Sequence, residues 1–200
     1  MGHRLSRIGT RTGDEGQTIL GSGLRVDKDS PVIETLGAID ELNSSIGFMI
    51  SMANAPGVRD ALLLVQHDLF DLGAQISVPG TPLLSQPHLE RLERSIETMD
   101  AGLGPLEASI LPGGAPSSAL SHVARTVCRR AEQCLTRLSE IDRQAQLSYI
   151  GRNSADRNGL AYLNRLSDLL FVIARAENAA ASRADVIWEN GKSITETEGM

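Results

Sequence analysis

Residues 30–53 read SPVIETLGAIDELNSSIGFMISMA. Ser30-Pro31 has the form of a helix start, a capping residue followed by a proline whose missing N–H costs nothing in the first turn. Beyond it Val32, Leu36, Ile39, Leu42, Ile46, Met49, Ile50 and Ala53 recur at intervals of three and four. At about 100° per residue they make one stripe, so the spacing predicts a helix over 31–53 with a single buried face. A stripe of that width must be covered by other elements.

The rest of the chain supplies them. Val58, Leu62, Val65, Leu69, Leu72 and Ile76 predict a second helix over 57–77, stopped by Pro79-Gly80. Leu89, Leu92 and Ile96 mark a shorter third helix over 86–99. A fourth, capped by Ser117 or Ser118, runs to Leu138 with Leu120, Val123, Val127, Ala131, Cys134 and Leu138 inward. A fifth covers 160–182 with Leu163, Leu166, Leu170 and Ile173 inward. Between the third and fourth, residues 101–116 hold four glycines and three prolines, a shaped loop. The polar stretch 142–158 reads as a mobile loop. No stretch alternates at period two long enough to build a sheet, so the expected fold is all-α, an up-and-down five-helix bundle. One domain over 1–200 is expected: an N-terminal loop (1–30), the bundle (31–183) and a C-terminal tail (184–200).

Composition narrows the function. Nineteen Lys and Arg stand against 25 Asp and Glu, a net charge of -6, and only 3% of residues are aromatic. Neither a phosphate-backbone footprint nor a base-stacking platform is expected, so nucleic acid is not the partner. The longest apolar run, Leu169 to Ala174, is far short of the roughly twenty residues of a membrane span. A soluble protein of cytoplasmic type is expected. Cys128 and Cys134 would lie about 9 Å apart along one helix, too far for a disulfide, and read as buried thiols.

Some residues do not fit a plain bundle. On the fourth helix His122, Arg125, Arg129 and Glu132 project together, with Arg130 and Arg137 on the other flank. Two readings stand: a solvated face with internal ion pairs, or an anion site in which guanidinium forks meet phosphate oxygens. Asp40 and Asn43 on the first helix, and Asn164 and Asp168 on the fifth, divide the same way. Asn43 falls inside the apolar stripe and must find partners, while Gly47 implies close approach of another backbone.

The first thirty residues carry six glycines and form a structured loop or short hairpin. Within it Thr10-Arg11-Thr12-Gly13-Asp14-Glu15-Gly16-Gln17-Thr18, followed by Lys28, could turn backbone N–H groups, hydroxyls and a lysine toward an anion. The spacing is not that of a P-loop. No Glu-x-x-His, zinc-like Cys/His spacing or nucleophile elbow occurs, and no residue is assigned as a metal ligand.

Taken in order, Thr10-Arg11-Thr12-Gly13-Asp14-Glu15-Gly16, Lys28-Asp29, Asp40-Glu41-Leu42-Asn43-Ser44, Leu69-Phe70-Asp71-Leu72-Gly73, Ile110-Leu111-Pro112-Gly113-Gly114, His122 to Glu132 and Leu163-Asn164-Arg165-Leu166-Ser167-Asp168 resemble the PduO-type ATP:cob(I)alamin adenosyltransferases. The likeness spans about 9–190. It implies a homotrimer of helical bundles with active sites between subunits, and transfer of the 5′-deoxyadenosyl group of ATP to cob(I)alamin with release of triphosphate. Thr10, Arg11, Thr12, Gly13, Thr18, Ile19 and Lys28 of one subunit would line ATP. Arg129, Arg130, Glu132, Gln133 and Asn164 would complete the site. Arg129, Asp40 and Arg125 are assigned to catalysis, the last two as an intersubunit ion pair. Mg²⁺ is expected with ATP, and a cobalamin reductase and an adenosylcobalamin-dependent enzyme as partners. The chain departs from the family where Ser109 replaces a frequent phenylalanine, which helps displace the lower axial base, and where Gln133 replaces a common arginine. The 142–158 loop is also longer. The alternative reading is an ATP- or cobalamin-binding carrier with little turnover.

Overall fold

The computed structural model describes residues 11, 13–80, 82–145 and 154–195. A hairpin of β1 (Gln17–Ile19) and β2 (Arg25–Asp27) precedes five long helices: α1 (Pro31–Met52), α2 (Val58–Ser77), α3 (Gln86–Asp100), α4 (Pro116–Ala145) and α5 (Ser154–Ala180). A single turn, α6 (Lys192–Thr195), follows. Cross-helix contacts fix the directions. Glu34 and Glu41 of α1 meet Arg137 and Arg130 of α4, so these two run antiparallel. Asn43 and Gln66 exchange side-chain-to-backbone hydrogen bonds between α1 and antiparallel α2. Glu93 of α3 meets Arg165, and Asp100 meets Arg175, so α3 runs parallel to α5. Successive helices alternate, the up-and-down bundle expected from the stripes. The core between them includes Leu42, Ile46, Met49, Leu62, Leu69, Leu72, Ile76, Leu135, Leu163 and Leu166, all essentially without solvent contact. Among the described residues no helix is long and apolar enough to cross a membrane.

Two helix ends differ from the sequence reading. The fourth helix continues to Ala145, its last turns carrying an Arg143–Glu140 ion pair and a Gln144–Glu140 hydrogen bond, and the fifth begins at Ser154. The stretch 142–158 is therefore helical at both ends, and residues 146–153 lie outside the described residues. Polar side chains paired along the helix carry no apolar period, which is why the pattern faded before the helix did. The start of α4 is also held differently. No serine caps it; Asn178 of α5 accepts from the Ala115 N–H at 2.8 Å, while Ser118 donates back to the Gly113 carbonyl at 2.9 Å. Gly114 sits at φ +102°, and a Cβ there would fall 2.1 Å from the Asn178 Oδ1, so no larger residue fits under this tie. The C-terminal segment folds back too: Ile187 forms an antiparallel bridge with Ile110.

Several interior ionic groups are closely partnered. Glu177 is fully buried, and its carboxylate accepts from the Asn54 and Ala55 N–H groups at 3.0–3.1 Å, closing the α1–α2 turn against α5. Arg175 is only 9% exposed and reaches Asp185, Asp100 and the Gly104 carbonyl. Asp68 of α2 is buried between Arg91 of α3 and the hydroxyl of fully buried Tyr162 on α5, which donates at 2.6 Å. One carboxylate thus ties three helices. Replacing it strands a buried hydroxyl and a part-buried guanidinium. Asp68→Ala is expected to lower stability by about 2–4 kcal/mol in chemical denaturation. A change under about 0.5 kcal/mol would show that the network contributes nothing net.

Candidate functional site

The site is built on the α4–α5 seam. Ser121, Ala124, Cys128 and Ala131 are small and wholly buried, so the two helices approach closely. Ser121 Oγ donates to the Leu170 carbonyl at 2.6 Å and Cys128 Sγ to the Leu163 carbonyl at 3.2 Å. These two bonds define the α5-facing side of α4. At about 100° per residue, Arg125, Arg129 and Glu132 flank that side, away from α1. Antiparallel register sets Asn164 and Asp168 within about one turn of Arg125 and Arg129. Burial first, then the charge of Glu132, raises the Cys128 thiol well above the ordinary range, with Arg129 opposing and Asp168 adding to the rise. Cys134, facing Glu34, is raised by burial as well.

Arg129 is exposed and makes no hydrogen bond or ion pair among the described residues. Glu132 is half-buried, Asn164 and Asp168 are exposed, and Gln133 is exposed. Arg125 is half-buried, and its Nε is enclosed without a partner among the described residues. Guanidiniums with unfilled hydrogen-bonding capacity suit a ligand that brings its own negative charge. Arg130 is different. It lies on the α1 flank and pairs with Glu41, so the structure does not bring it together with Arg129.

His122 departs from the polar stripe to which its spacing assigned it. It is 3% exposed, lies edge-on to Phe171 at 6.1 Å between centroids, and both ring nitrogens lack partners among the described residues. Burial, then the charge of Arg125, holds its imidazole below the ordinary range; Asp185 works the other way. Val123, read as an inward residue, is 53% exposed.

The opposite face of the molecule carries a groove of about 470 Å³ between α1 and α2. Asp40, Asn43, Leu36, Leu69, Phe70 and Ser77 are among its lining residues. Asp40 is exposed with no partner among the described residues, and the Asn43 Oδ1 is buried and unpaired. A Cβ on Gly47 would meet the Gln66 amide at 3.2 Å, so the close neighbour implied by that glycine is a side chain rather than a backbone. Phe70 is 71% exposed and Phe48 60% on the outer surface of these helices, more apolar area than a face left to water needs.

The N-terminal hairpin caps the same end of the bundle. The Gly21 N–H donates to Ser77 Oγ at 2.6 Å, and Ser22 N–H to the Ser77 carbonyl at 3.1 Å. Lys28 Nζ donates to the Gly13 carbonyl at 2.6 Å, and its own N–H to the Gly16 carbonyl at 2.9 Å, so the glycine turn folds over the lysine. A Cβ at Gly13 would come within 2.8 Å of that Nζ. Thr18 pairs with Val26 in the hairpin, Ile19 is 44% exposed, and Arg11 is exposed at φ +58°. Thr10 and Thr12 lie outside the described residues.

Two half-sites result. Lys28 precedes α1, whose first turn is level with Arg137; Arg129 lies about two turns further along α4 and on another flank. Arg129 therefore lies roughly 12 Å along the bundle from the first turn of α1, the turn that Lys28 precedes in the chain. Of the predicted nucleotide residues that are described, Arg11, Gly13, Thr18, Ile19 and Lys28 belong to the N-terminal segment and Arg129, Glu132, Gln133 and Asn164 to α4 and α5, while Arg130 is turned to α1.

The sequence pattern of the family described as Cobalamin adenosyltransferase matches residues 8–177. The chain is 48% identical over 190 residues to a Cobalamin adenosyltransferase of Cupriavidus metallidurans, covering 94% of this chain and 97% of that one. It is 38% identical to a Corrinoid adenosyltransferase of Bacillus subtilis, covering 94% and 95%. Its fold is similar to a variant PduO-type ATP:corrinoid adenosyltransferase from Lactobacillus reuteri, solved with cobalamin and ATP. That likeness has a TM-score of 0.80 at 30% identity over 92% of this chain and 100% of the other.

The state of His122 has a measurable consequence. Its folded-state affinity for a proton is depressed, so below the ordinary value of 6.5 the unfolded chain takes up a proton that the folded chain resists. This contribution to stability is absent as a difference above that pH and turns unfavourable as pH falls through and below it. His122→Phe should lose less stability than wild type between about pH 7 and pH 5 in urea melts. Parallel losses in the two proteins would show that His122 titrates normally.

Proposed function

The chain belongs to the cobalamin adenosyltransferase family, and from that membership we propose that it transfers the 5′-deoxyadenosyl group of ATP to cob(I)alamin. The Co(I) lone pair attacks C5′, the C5′–O bond breaks, and its electrons leave with triphosphate. Cobalt is itself the nucleophile, so no serine, cysteine or general base is required of the protein. Its tasks are to align the two substrates, exclude water and stabilise the charge gathering on the leaving group.

The observation that carries the reading is Arg129, a guanidinium with no hydrogen bond or ion pair among the described residues, on the flank that carries Glu132, Asn164 and Asp168. Triphosphate would supply its missing counter-charge. Lys28 serves the same end from the other half-site: freed from the Gly13 carbonyl, its ammonium can follow the phosphates while the Gly13–Gly16 turn offers N–H groups. Arg129 lies roughly 12 Å along the bundle from the first turn of α1 and on another flank, which supports a site completed by two copies. A homotrimer, with the α1–α2 face of one bundle against the α4–α5 flank of the next, would also cover Phe70 and give Asp40 and Arg125 each other as partners. Arg130 enters only by giving up Glu41. The oxygen donors Glu132, Asp168 and Asn164 suit a hard ion, and Mg²⁺ held mainly by the triphosphate would offset charge on the departing oxygens. A reductase that supplies Co(I), and an enzyme that uses the adenosylated product, are the partners this chemistry requires.

Arg129→Ala is expected to keep the far-ultraviolet spectrum and melting temperature of the wild type while lowering adenosyl transfer by about 10²–10³-fold. Turnover followed from the cobalamin spectrum, with ATP and chemically reduced cobalamin, measures it. Near-normal turnover would remove Arg129 from the mechanism, and wild-type conversion that stops at one equivalent per site would favour a carrier over an enzyme.

A further inference from the structure

Away from both half-sites, another cavity of about 270 Å³ opens between α2 and α3. The start of α2 contributes Gly57 and Ala61, and α3 contributes the face that carries Arg91, Arg94 and Met99. The N-terminal hairpin is tied to Ser77, at the far end of α2. Twenty residues of helix, about 30 Å, therefore separate that hairpin from this cavity. None of its described lining residues belongs to α4 or α5.

The donors that face this space are cationic. Ser95 and Thr98 also line it, but their hydroxyls donate to the Arg91 and Arg94 carbonyls at 2.9 and 2.7 Å. That leaves the guanidiniums. Asp68, buried and held in turn by the Tyr162 hydroxyl, meets Arg91 through one nitrogen, Nη2, and so sets the plane of the group. A guanidinium has five N–H donors, more than one carboxylate can use. Arg94 is 65% exposed, and its one ion partner among the described residues is Glu90, at 4.0 Å. An exposed pair that long contributes almost nothing and yields readily to a better anion. Gly57, at φ +76°, gives α2 no side-chain cap, and Asp60 in the first turn makes no hydrogen bond among the described residues. The positive end of the helix thus adds to the two arginines.

Size and lining then select the ligand. Ligand cavities commonly span about 300–1,000 Å³, so this one suits a small molecule rather than a nucleotide. Two planar forks on neighbouring turns of α3 match a tetrahedral dianion, whose oxygens can serve both at once. Ala61 and Met99 offer apolar surface beside them for a short carbon body.

We propose that the α2–α3 cavity is a separate anion site that takes a small phosphate monoester. Its phosphate sits between Arg91 and Arg94, and its carbon body lies against Ala61 and Met99. The site stands apart from adenosyl transfer and uses none of the residues assigned to it.

Glycerol 3-phosphate is a suitable probe, followed by the broadening of its ³¹P resonance on addition of the full chain. Saturable binding with a Kd of about 1 mM or below is expected. Arg94→Gln, which removes an exposed donor, and Ala61→Leu, which fills the floor, should each weaken it by about tenfold or more. Adenosyl transfer should be unchanged in both. Arg91 is left in place, because replacing it would strand the buried Asp68 carboxylate. Arg129→Ala should bind the probe as wild type does. Binding lost in Arg129→Ala and kept in Arg94→Gln would put the phosphate at the transfer site and overturn the proposal. Equal affinity for succinate would overturn the choice of phosphate. A response reproduced by sodium chloride at matched ionic strength would reduce the effect to screening, and wild type that stays unsaturated at about 10 mM would end the proposal outright.

Discussion

Close approach of α4 to α5 is the constraint on which the rest depends. Four small side chains, Ser121, Ala124, Cys128 and Ala131, line the contact, and two of them donate to carbonyls of the facing helix. Hydrogen bonds from side chain to backbone at two levels fix both the separation and the register. The flank residues inherit that register: Arg125, Arg129 and Glu132 are set against Asn164 and Asp168 by bonds that none of them makes. A larger residue in the seam would move the whole row without touching any of it.

Beside the surface ion pairs, two contrasting kinds of ionic group stand out among the described residues. Glu177, Asp68 and Arg175 are interior and closely partnered, each tying segments distant in sequence. Isolated burial of such charges would cost several kcal/mol apiece, so their pairing is a condition of the fold. Arg129 and Asp40 are the reverse, on the surface and without partners among the described residues. Pairing in the interior ties the helices together, while the open charges on two faces have no such role among the described residues. This is the division expected of a scaffold whose ligand and neighbours finish its electrostatics.

Much of this was legible in the order of residues, and the failures have physical causes. The stripes of α1, α2 and α3 fell on their buried residues because leucine, isoleucine and valine carry the burial there. On α4 the seam is made by Ser, Ala and Cys, which a hydrophobic period undervalues; Leu120 and Val127 do pack against the core, but Val123 is exposed, and His122, assigned by its spacing to the polar stripe, is buried. Lys28 and the glycine turn were recognisable as an anion-binding kind of loop, yet nothing local shows that the lysine rests on Gly13. Arg129 could be chosen, but its contrast with Arg130 depends on Glu41, nearly ninety residues away along the chain. The Ile110–Ile187 bridge was invisible for the same reason: three residues in a Gly/Pro-rich loop meet three near the C-terminus, too few to show a period, and a segment read as a tail is a structural element.

The placement of Lys28 and Arg129 in different parts of one chain has a genetic corollary. Lesions at the two positions damage different halves of what is proposed to be a shared site. A mixed assembly of chains crippled at opposite ends can bring together one sound loop and one sound helix flank. Two inactive alleles could then restore each other in the same cell, as two lesions in the same half could not.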